Sequence, residues 1–337
     1  MGQRKTSNSI RSSGFTIVEL LIVVVVIAIL AAITIVAYNG IQNRSKASAA
    51  QSNLSGAAKA LELAKVNSAT SQYPSSLPST VSLNNATYEY SSDTNQYCLT
   101  HNVGGIEYFI VGLVQKPVPG SCTGMTAWWP LNGTISELRN GLLTTTVGSS
   151  SGGVGQNGTQ NSGWESVGDG TTRYLATSYV FDTASFSASI WAKPDGGGPS
   201  SFASILSNTR DCCATYTGFQ IDYNRGSQNL DARLWDNASA VAVSIKAPGV
   251  MTVGNWRHIV LTYDSAVLRL YIDGALSGSI AYVHSATPGT ATYPLKIGGM
   301  GASSSGYSFG GTLDDARIYN RPLTASEVSS MYSLGAQ

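Results

Sequence analysis

The sequence predicts a multidomain chain: a long N-terminal α-helix, a small α+β head, and then an all-β sandwich. Three observations carry this. A run of fourteen uninterrupted apolar residues, Leu20 to Ile33, lies near the start, and all six tryptophans lie beyond residue 127. From Thr126 onward, strand-length runs alternate with Gly, Pro, Asn and Ser clusters. At 337 residues the chain is long enough for two or three domains, one with a sizeable core. Only 12% of residues are charged, and 20 Lys and Arg against 19 Asp and Glu leave a net charge of +1. There is no cationic excess to neutralise phosphates, so no nucleic acid is expected as a partner. An apolar share of 42% also excludes a disordered polyelectrolyte.

The first element is the apolar run. Val18 and Ile35 to Ala37 extend it to membrane-spanning length if Glu19 and Thr34 are tolerated. Arg4, Lys5 and Arg11 precede it without an acid, which places the N-terminus in the cytoplasm and exports the rest. One reading is a secretory signal peptide cut near Ala31. Against it stand the length of the run and Glu19, because a carboxylate inside a membrane helix costs roughly 2.5–3.5 kcal/mol. Snorkelling of Glu19 to the interface would lower that cost.

Gly14-Phe15-Thr16-Ile17-Val18-Glu19-Leu20 resembles the prepilin signature of type IV pilins and pseudopilins. The resemblance implies a leader of residues 1–14, removed by a prepilin peptidase after Gly14, and N-methylation of Phe15. Glu19 then falls at the fifth mature position. There it can neutralise the Phe15 amine of a neighbouring subunit, which offsets the burial cost and sets the axial stagger. The implied partners are other pilin subunits, met through this helix. The implied location is the bacterial cytoplasmic membrane, single-pass, and then a cell-surface pilus. A helix-kinking proline common in major pilins is absent, with Val36 at that depth.

The helix is expected over 15–67, with its membrane half at about 15–38. Leu54, Ala57, Ala58, Leu61 and Ala64/Lys65 recur at helical spacing, and Pro74 and Pro78 end the segment. A small head over 68–124 follows, with strands at Ala86–Tyr90, Tyr97–His101 and Glu107–Val114. Cys98 and Cys122 are expected to pair, because two cysteines in an exported chain without a CxxC favour a disulfide. Lys116 to Gly120 reads as a stiff exit from the head.

The third element is a sandwich over 126–335. Its runs are Phe186–Lys193, Ala203–Ser207, Gly218–Tyr223, Leu230–Asp236, Asn255–Tyr263, Leu268–Ile272, Leu295–Gly298 and Thr312–Tyr319. Asp273-Gly274 predicts a two-residue hairpin turn. Thr324-Ala325-Ser326-Glu327 predicts a capping box opening a last helix through Tyr332. The pattern resembles the laminin-G-like, concanavalin A-like jelly-roll modules of bacterial surface proteins. The residues that carry it are Trp129 to Gly133, Phe186 to Pro194, Trp256 to Asp264, Leu268 to Gly274 and Gly311 to Leu323. That fold hosts lectins, enzymes and adhesion modules, so it does not fix a function.

Among candidate sites, two motifs are set aside. Gly153 to Gly158 fits a dinucleotide fingerprint and Gly148 to Gly152 a nucleophile elbow, but neither lies between a buried strand and a helix. No enzymatic activity is expected. Glycoside hydrolysis needs two carboxylates across one groove; the large segment has only Glu137, Glu165 and Glu327, although an Asp222/Asp231 pair stays open. His101, His258 and His284 are scattered. The jelly-roll resemblance implies a structural calcium, for which Asp314, Asp315 and Asp169 are the candidate ligands. The competing reading pairs Asp314 or Asp315 with Arg317 or Arg321. For ligand binding, Gln220, Asp222, Arg233 and Trp235 form one patch if the polar faces of two neighbouring strands coincide; otherwise they are a solvated surface. Cys212-Cys213 reads as two thiols, a strained ring or intermolecular bonds.

The expected function is a minor or tip type IV pilin-like surface subunit presenting a lectin-like module for adhesion to glycans or other cell surfaces. The alternatives are a pseudopilin of a secretion or DNA-uptake machine, and a surface glycan hydrolase.

Overall fold

The computed structural model describes residues 17–91, 95–112, 114–148, 151–166, 173–180, 185–197, 201–209, 218–235, 243–283, 293–300 and 307–335. Gly14, Phe15, Asp169, Cys212, Cys213 and His284 lie outside them. Helix α1 covers Ile17–Val66. The chain divides into two compact units, residues 1–48 and 49–337.

In the first unit the large apolar side chains described between Ile17 and Ile41 are exposed. Among the described residues no helix is long and apolar enough to cross a membrane. The side chains of Glu19 and Ala32 fall outside the description, and the run between them, Leu20 to Ala31, is twelve residues.

In the second unit the remainder of α1 buries Leu54, Ala57, Ala58 and Leu61 of the stripe predicted from helical spacing, together with Ala50, while Ala64 and Lys65 are half-buried. The head is a four-stranded antiparallel sheet in the order β1 (Ala86–Ser91), β2 (Gln96–Val103), β3 (Ile106–Val111) and β4 (Val114–Pro119). The single strand expected over Glu107–Val114 is thus two strands, and the expected stiff exit is β4. Pro117 and Pro119 are tolerated there because β4 is an edge strand. Cys98 and Cys122 form the predicted disulfide, with Cα atoms 6.0 Å apart. Strand alternation splits the sheet into two faces. Asn53 on α1 meets His101 Nε2 at 3.1 Å, so His101 and Leu99 belong to the helix side. Cys98, Phe109, Val111 and Val118 belong to the other.

The sandwich strands are β5 (Met125–Trp129), β6 (Thr144–Val147), β7 (Ser151–Gly153), β8 (Gly163–Ser166), β9 (Tyr174–Val180), β10 (Phe186–Pro194), β11 (Phe202–Ser207), β12 (Gly218–Asn224), β13 (Asn229–Trp235), β14 (Val243–Ala247), β15 (Arg257–Tyr263), β16 (Val267–Ile272), β17 (Ala275–Ala281), β18 (Pro294–Ile297) and β19 (Gly311–Tyr319). One sheet, called B, has the order β17-β16-β15-β10-β19-β8-β7, with β5 also pairing β19. The other, called C, has the order β14-β13-β12-β11-β18-β9-β6. Between them lies a single core that includes Trp129, Phe186, Phe219, Tyr263, Phe309 and Leu313. Asp273 and Gly274 both have positive φ, 51° and 79°, as the predicted hairpin turn requires. Helix α2 (Ala325–Leu334) opens with the predicted capping box between Thr324 and Glu327.

The outer face of sheet B is covered over its central strands. Trp128, Val260, Tyr271 and Tyr319 share a second core with Cys98, Phe109, Val111, Val118 and Cys122 of the head and Val328 and Met331 of α2. Phe109 meets Trp128 edge-on at 5.3 Å. Arg317, fully buried, donates from Nη1 to the Pro119 carbonyl at 2.7 Å, and Tyr319 Oη donates to the Ser121 carbonyl at 3.0 Å. Head and sandwich therefore share a core. A fragment beginning at Ala49 should be a soluble, cooperatively melting monomer. One beginning at Thr126 should bind a hydrophobic dye and melt at lower temperature; equal melting of the two would refute the shared core.

Candidate functional site

Alternation decides which side chains of sheet C face outward. Phe219, Ile221 and Tyr223 of β12 and Leu230, Ala232 and Leu234 of β13 enter the core, so their neighbours in sequence lie on the outer face. Register then lays these out in rows. Phe202, Asn224 and Asn229 form one row, Ser204, Asp222, Asp231 and Lys246 the next, and Ser207, Gln220, Arg233 and Ser244 a third. The polar faces of β12 and β13 thus coincide.

Arg233 ties the second and third rows together. Its Nη1 donates to Asp222 Oδ2 at 2.9 Å and its Nη2 to Asp231 Oδ2 at 2.5 Å. Gln220 Nε2 donates to Asp222 Oδ1 at 2.9 Å, so Gln220 positions that carboxylate. Asp231 Oδ1 is buried with no hydrogen-bond partner. Burial pushes the Asp222 carboxyl up to about 7, against the opposing pull of Arg233. Above these groups lies a cavity of about 200 Å³ lined by Phe202, Asp222, Asn224, Asn229, Asp231, Arg233 and Lys246. Gln220 and Trp235 are not among its lining residues. Phe202 is 45% exposed and brings an aromatic ring to the rim. Asn224 Oδ1 accepts from Ser227 N within its own turn, and Asn229 Oδ1 accepts from Gly249 N in the turn after β14, both at 3.0 Å. Each also carries Nδ2 donors and a second acceptor site on Oδ1.

Sequence reasoning reached Gln220, Asp222, Asp231 and Arg233 but missed Phe202, Asn224, Asn229 and Lys246. The asparagines flank a turn, where their residue type is ordinary. Phe202 and Lys246 arrive on β11 and β14, whose places in the sheet no local pattern announces.

The acidic pair in β19 does not fit a divalent cation. Both oxygens of Asp315 accept from Arg317, Oδ1 from Nε at 2.8 Å and Oδ2 from Nη2 at 2.6 Å, and Oδ1 also accepts from Trp128 Nε1 at 2.8 Å. Asp315 sits in a β-bulge at φ 50°, which turns it toward the head. Asp314 is fully buried, and its Oδ2 accepts from Gln156 N at 2.9 Å. Burial first, and then the Asp315 charge, push the Asp314 carboxyl up to about 8. Among the described residues no three His, Cys, Asp or Glu side chains converge.

Glu137, Glu327 and His258 are committed to structure. Glu137 is buried and accepts from the backbone N–H groups of Trp128, Arg139, Asn140 and Leu142. Glu327 caps α2 and pairs with Arg321. His258 Nε2 lies 3.0 Å from Ser189 Oγ, but both are buried, and Trp191 and Tyr332 stack on the ring. Burial and Arg317 push the His258 imidazole down to about 3. The Gly153–Gly158 motif runs from the last residue of β7 into the loop before β8, and the two strands pair as a hairpin.

The geometry defines a two-sheet sandwich with one face docked on a small disulfide-bonded head and the other bearing a polar cavity. Residues 168–329 match the concanavalin A-like lectin/glucanases superfamily. Residues 10–35 match the prokaryotic N-terminal methylation motif, so the chain carries a pilin-type N-terminus ahead of a concanavalin A-like domain. No curated protein matches the chain. Among solved structures, the receptor-binding domain of botulinum neurotoxin D is 12% identical with a TM-score of 0.47, covering 62% of this chain and 52% of that one. The chain thus spans about half the length of that domain. The CBM40 domain of the Ruminococcus gnavus IT-sialidase, bound to α2,3-sialyllactose, is 14% identical with a TM-score of 0.39, covering 51% and 97%. Domain 4 of AbnA, a GH43 extracellular arabinanase from Geobacillus stearothermophilus, in complex with arabinotriose, is 17% identical with a TM-score of 0.43, covering 63% and 98%. No residue role is carried over from these partial likenesses.

Asp314 sets a pH dependence. Its folded value lies above its ordinary 3.8, so the native state binds the proton more tightly than the unfolded chain. The stability this contributes is complete below about pH 4 and is lost as pH rises through about 8. Asp314→Asn should flatten the fall in urea midpoint across that window. An unaltered pH profile in the variant would remove Asp314 from the account.

Proposed function

We propose that this chain is a minor or tip subunit of a type IV pilus-like filament, and that its sandwich serves adhesion by binding glycans at cell surfaces. The observation that carries the reading is the methylation motif at residues 10–35 on the same chain as a concanavalin A-like domain. In this reading Glu19 and the apolar run from Leu20 to Ile33 insert in the cytoplasmic membrane before assembly. Prepilin peptidase cuts after Gly14, and Phe15 and Glu19 pair between subunits.

The arrangement of the second unit supports presentation of the cavity. The head covers the outer face of sheet B, and the cavity opens on the outer face of sheet C, across the sandwich core. Binding without hydrolysis is favoured by the state of the carboxylates. Asp222 and Asp231 both share one guanidinium, whereas a glycosidase needs one carboxyl on each side of the scissile bond. A pseudopilin role in secretion or DNA uptake would use the same N-terminus without needing the cavity.

Three outcomes test this. Intact mass should place the mature N-terminus at methylated Phe15, and Gly14→Leu should block cleavage; a cut near Ala31 would sink the pilin reading. Glu19→Val should leave processing and insertion intact but abolish or misregister assembly, read as loss of the subunit from sheared filaments. Phe202→Ala should leave filaments normal and weaken glycan-dependent adhesion at least about tenfold, as loss of a stacking ring does. Undiminished adhesion would move the ligand off sheet C.

A further inference from the structure

The outer face of sheet C carries charge of one sign where solvent reaches it. Its seven strands hold two acids, Asp222 and Asp231, and three bases, Arg233, Lys246 and Lys296. All five point outward. Asp222, Asp231 and Lys246 share a row, Arg233 bridges the two carboxylates, and Lys296 stands between the core residues Leu295 and Ile297. Exposure then separates them by sign. Asp222 and Asp231 are 4% and 8% exposed, and both pair with Arg233. Lys246 is exposed, Lys296 is half-buried with Nζ 4.4 Å from the Tyr174 ring, and the Arg233 side chain keeps 25% of its surface open. A solute approaching this face meets cations, with both carboxylates beneath them.

Lys246 is the cation best placed to meet a ligand. It stands opposite Asp231 in the β13–β14 register, yet Arg233 takes the Asp231 carboxylate. Among the described residues no side chain pairs with the Lys246 ammonium. Lys246 and the half-exposed Phe202 both line the cavity over this sheet. They stand on β14 and β11, at opposite ends of the lining, with β12 and β13 between them. At about 200 Å³ the cavity is smaller than the roughly 300–1,000 Å³ usual for drug-sized ligands, so it suits a single ring. An anion met by an exposed lysine also keeps part of its hydration, which spares most of the cost of burying a charge.

We propose that the sugar taken by this cavity is acidic, with a carboxylate or a sulfate ester that pairs with Lys246. The ring packs on Phe202, and Asn224 and Asn229 serve its hydroxyls. This inference rests on the glycan reading of sheet C given above.

The test uses the full chain in a neutral detergent without sugar headgroups. Methyl glucoside, methyl glucuronide and methyl glucoside sulfated at its primary hydroxyl are titrated by calorimetry and saturation-transfer NMR, beside their galacto counterparts. Within each series only the group on the last ring carbon differs. An acidic member should bind about fivefold or more tightly than its neutral parent, and which acid is preferred identifies carboxylate or sulfate. The margin should shrink as salt rises from about 0.05 to 0.5 M. Lys246→Gln should erase the preference and leave the neutral sugar as it was, whereas Lys246→Arg should keep the preference. Unchanged melting of both variants confirms that they fold. Equal binding of acidic and neutral sugars, or a preference that survives Lys246→Gln, would overturn the proposal and leave the glycan reading of the cavity standing. No binding of any probe up to about 50 mM would overturn both.

Discussion

The pair formed by Arg317 and Asp315 is the contact on which the second unit depends. Both side chains are buried, and neither charge would survive there alone. Asp315 saturates its oxygens with Arg317 and Trp128, while the remaining Arg317 nitrogen reaches out of the sandwich to the Pro119 carbonyl of β4. The guanidinium also lies over the rings of Phe109 and Trp128, at 5.2 and 5.9 Å. Removing one partner from such a pair costs about 3–5 kcal/mol, because the other charge stays buried. One residue of β19 therefore joins three structures: its own sheet, the first strand of the sandwich and the last strand of the head.

That junction gives the two faces of the sandwich different work. The outer face of sheet B is spent on the head and α2, with His258, Ser189 and Trp191 enclosed beneath them. The outer face of sheet C keeps its polar residues for a cavity whose buried charges are balanced internally by Arg233. Chemistry that looks similar in the sequence, an Asp beside an Arg two residues away, thus has opposite meanings. Asp315 with Arg317 is a tie between modules, and Asp231 with Arg233 is the floor of a cavity. Solvent access separates them, and that depends on what each sheet packs against.

Much of the local structure was legible from residue order. The Asp273-Gly274 turn, the Thr324–Glu327 capping box and the alternation through β12 and β13 are short-range patterns, and each formed as its chemistry requires. Strands β5 to β9 and β14 fall outside the expected runs; among them β6 and β7 are short and rich in Thr, Ser and Gly. Strand β4 was obscured by its two prolines, whose ban from sheets does not extend to an edge.

By itself the sequence determined the N-terminal methylation motif, both helices, the strand segments β10 to β13, β15, β16, β18 and β19, the disulfide partners and the polar face of the β12–β13 hairpin. These follow from spacing, apolar periodicity and turn chemistry within a few residues. Only the tertiary structure decided that β11 and β14 flank that hairpin and bring Phe202 and Lys246 to it. It alone decided that Asp315 meets Arg317 and Trp128, that Asp314 is sealed, and that head and sandwich share one core. Strand order and burial are set by contacts between segments up to two hundred residues apart, such as Arg317 with Pro119. No local pattern encodes them.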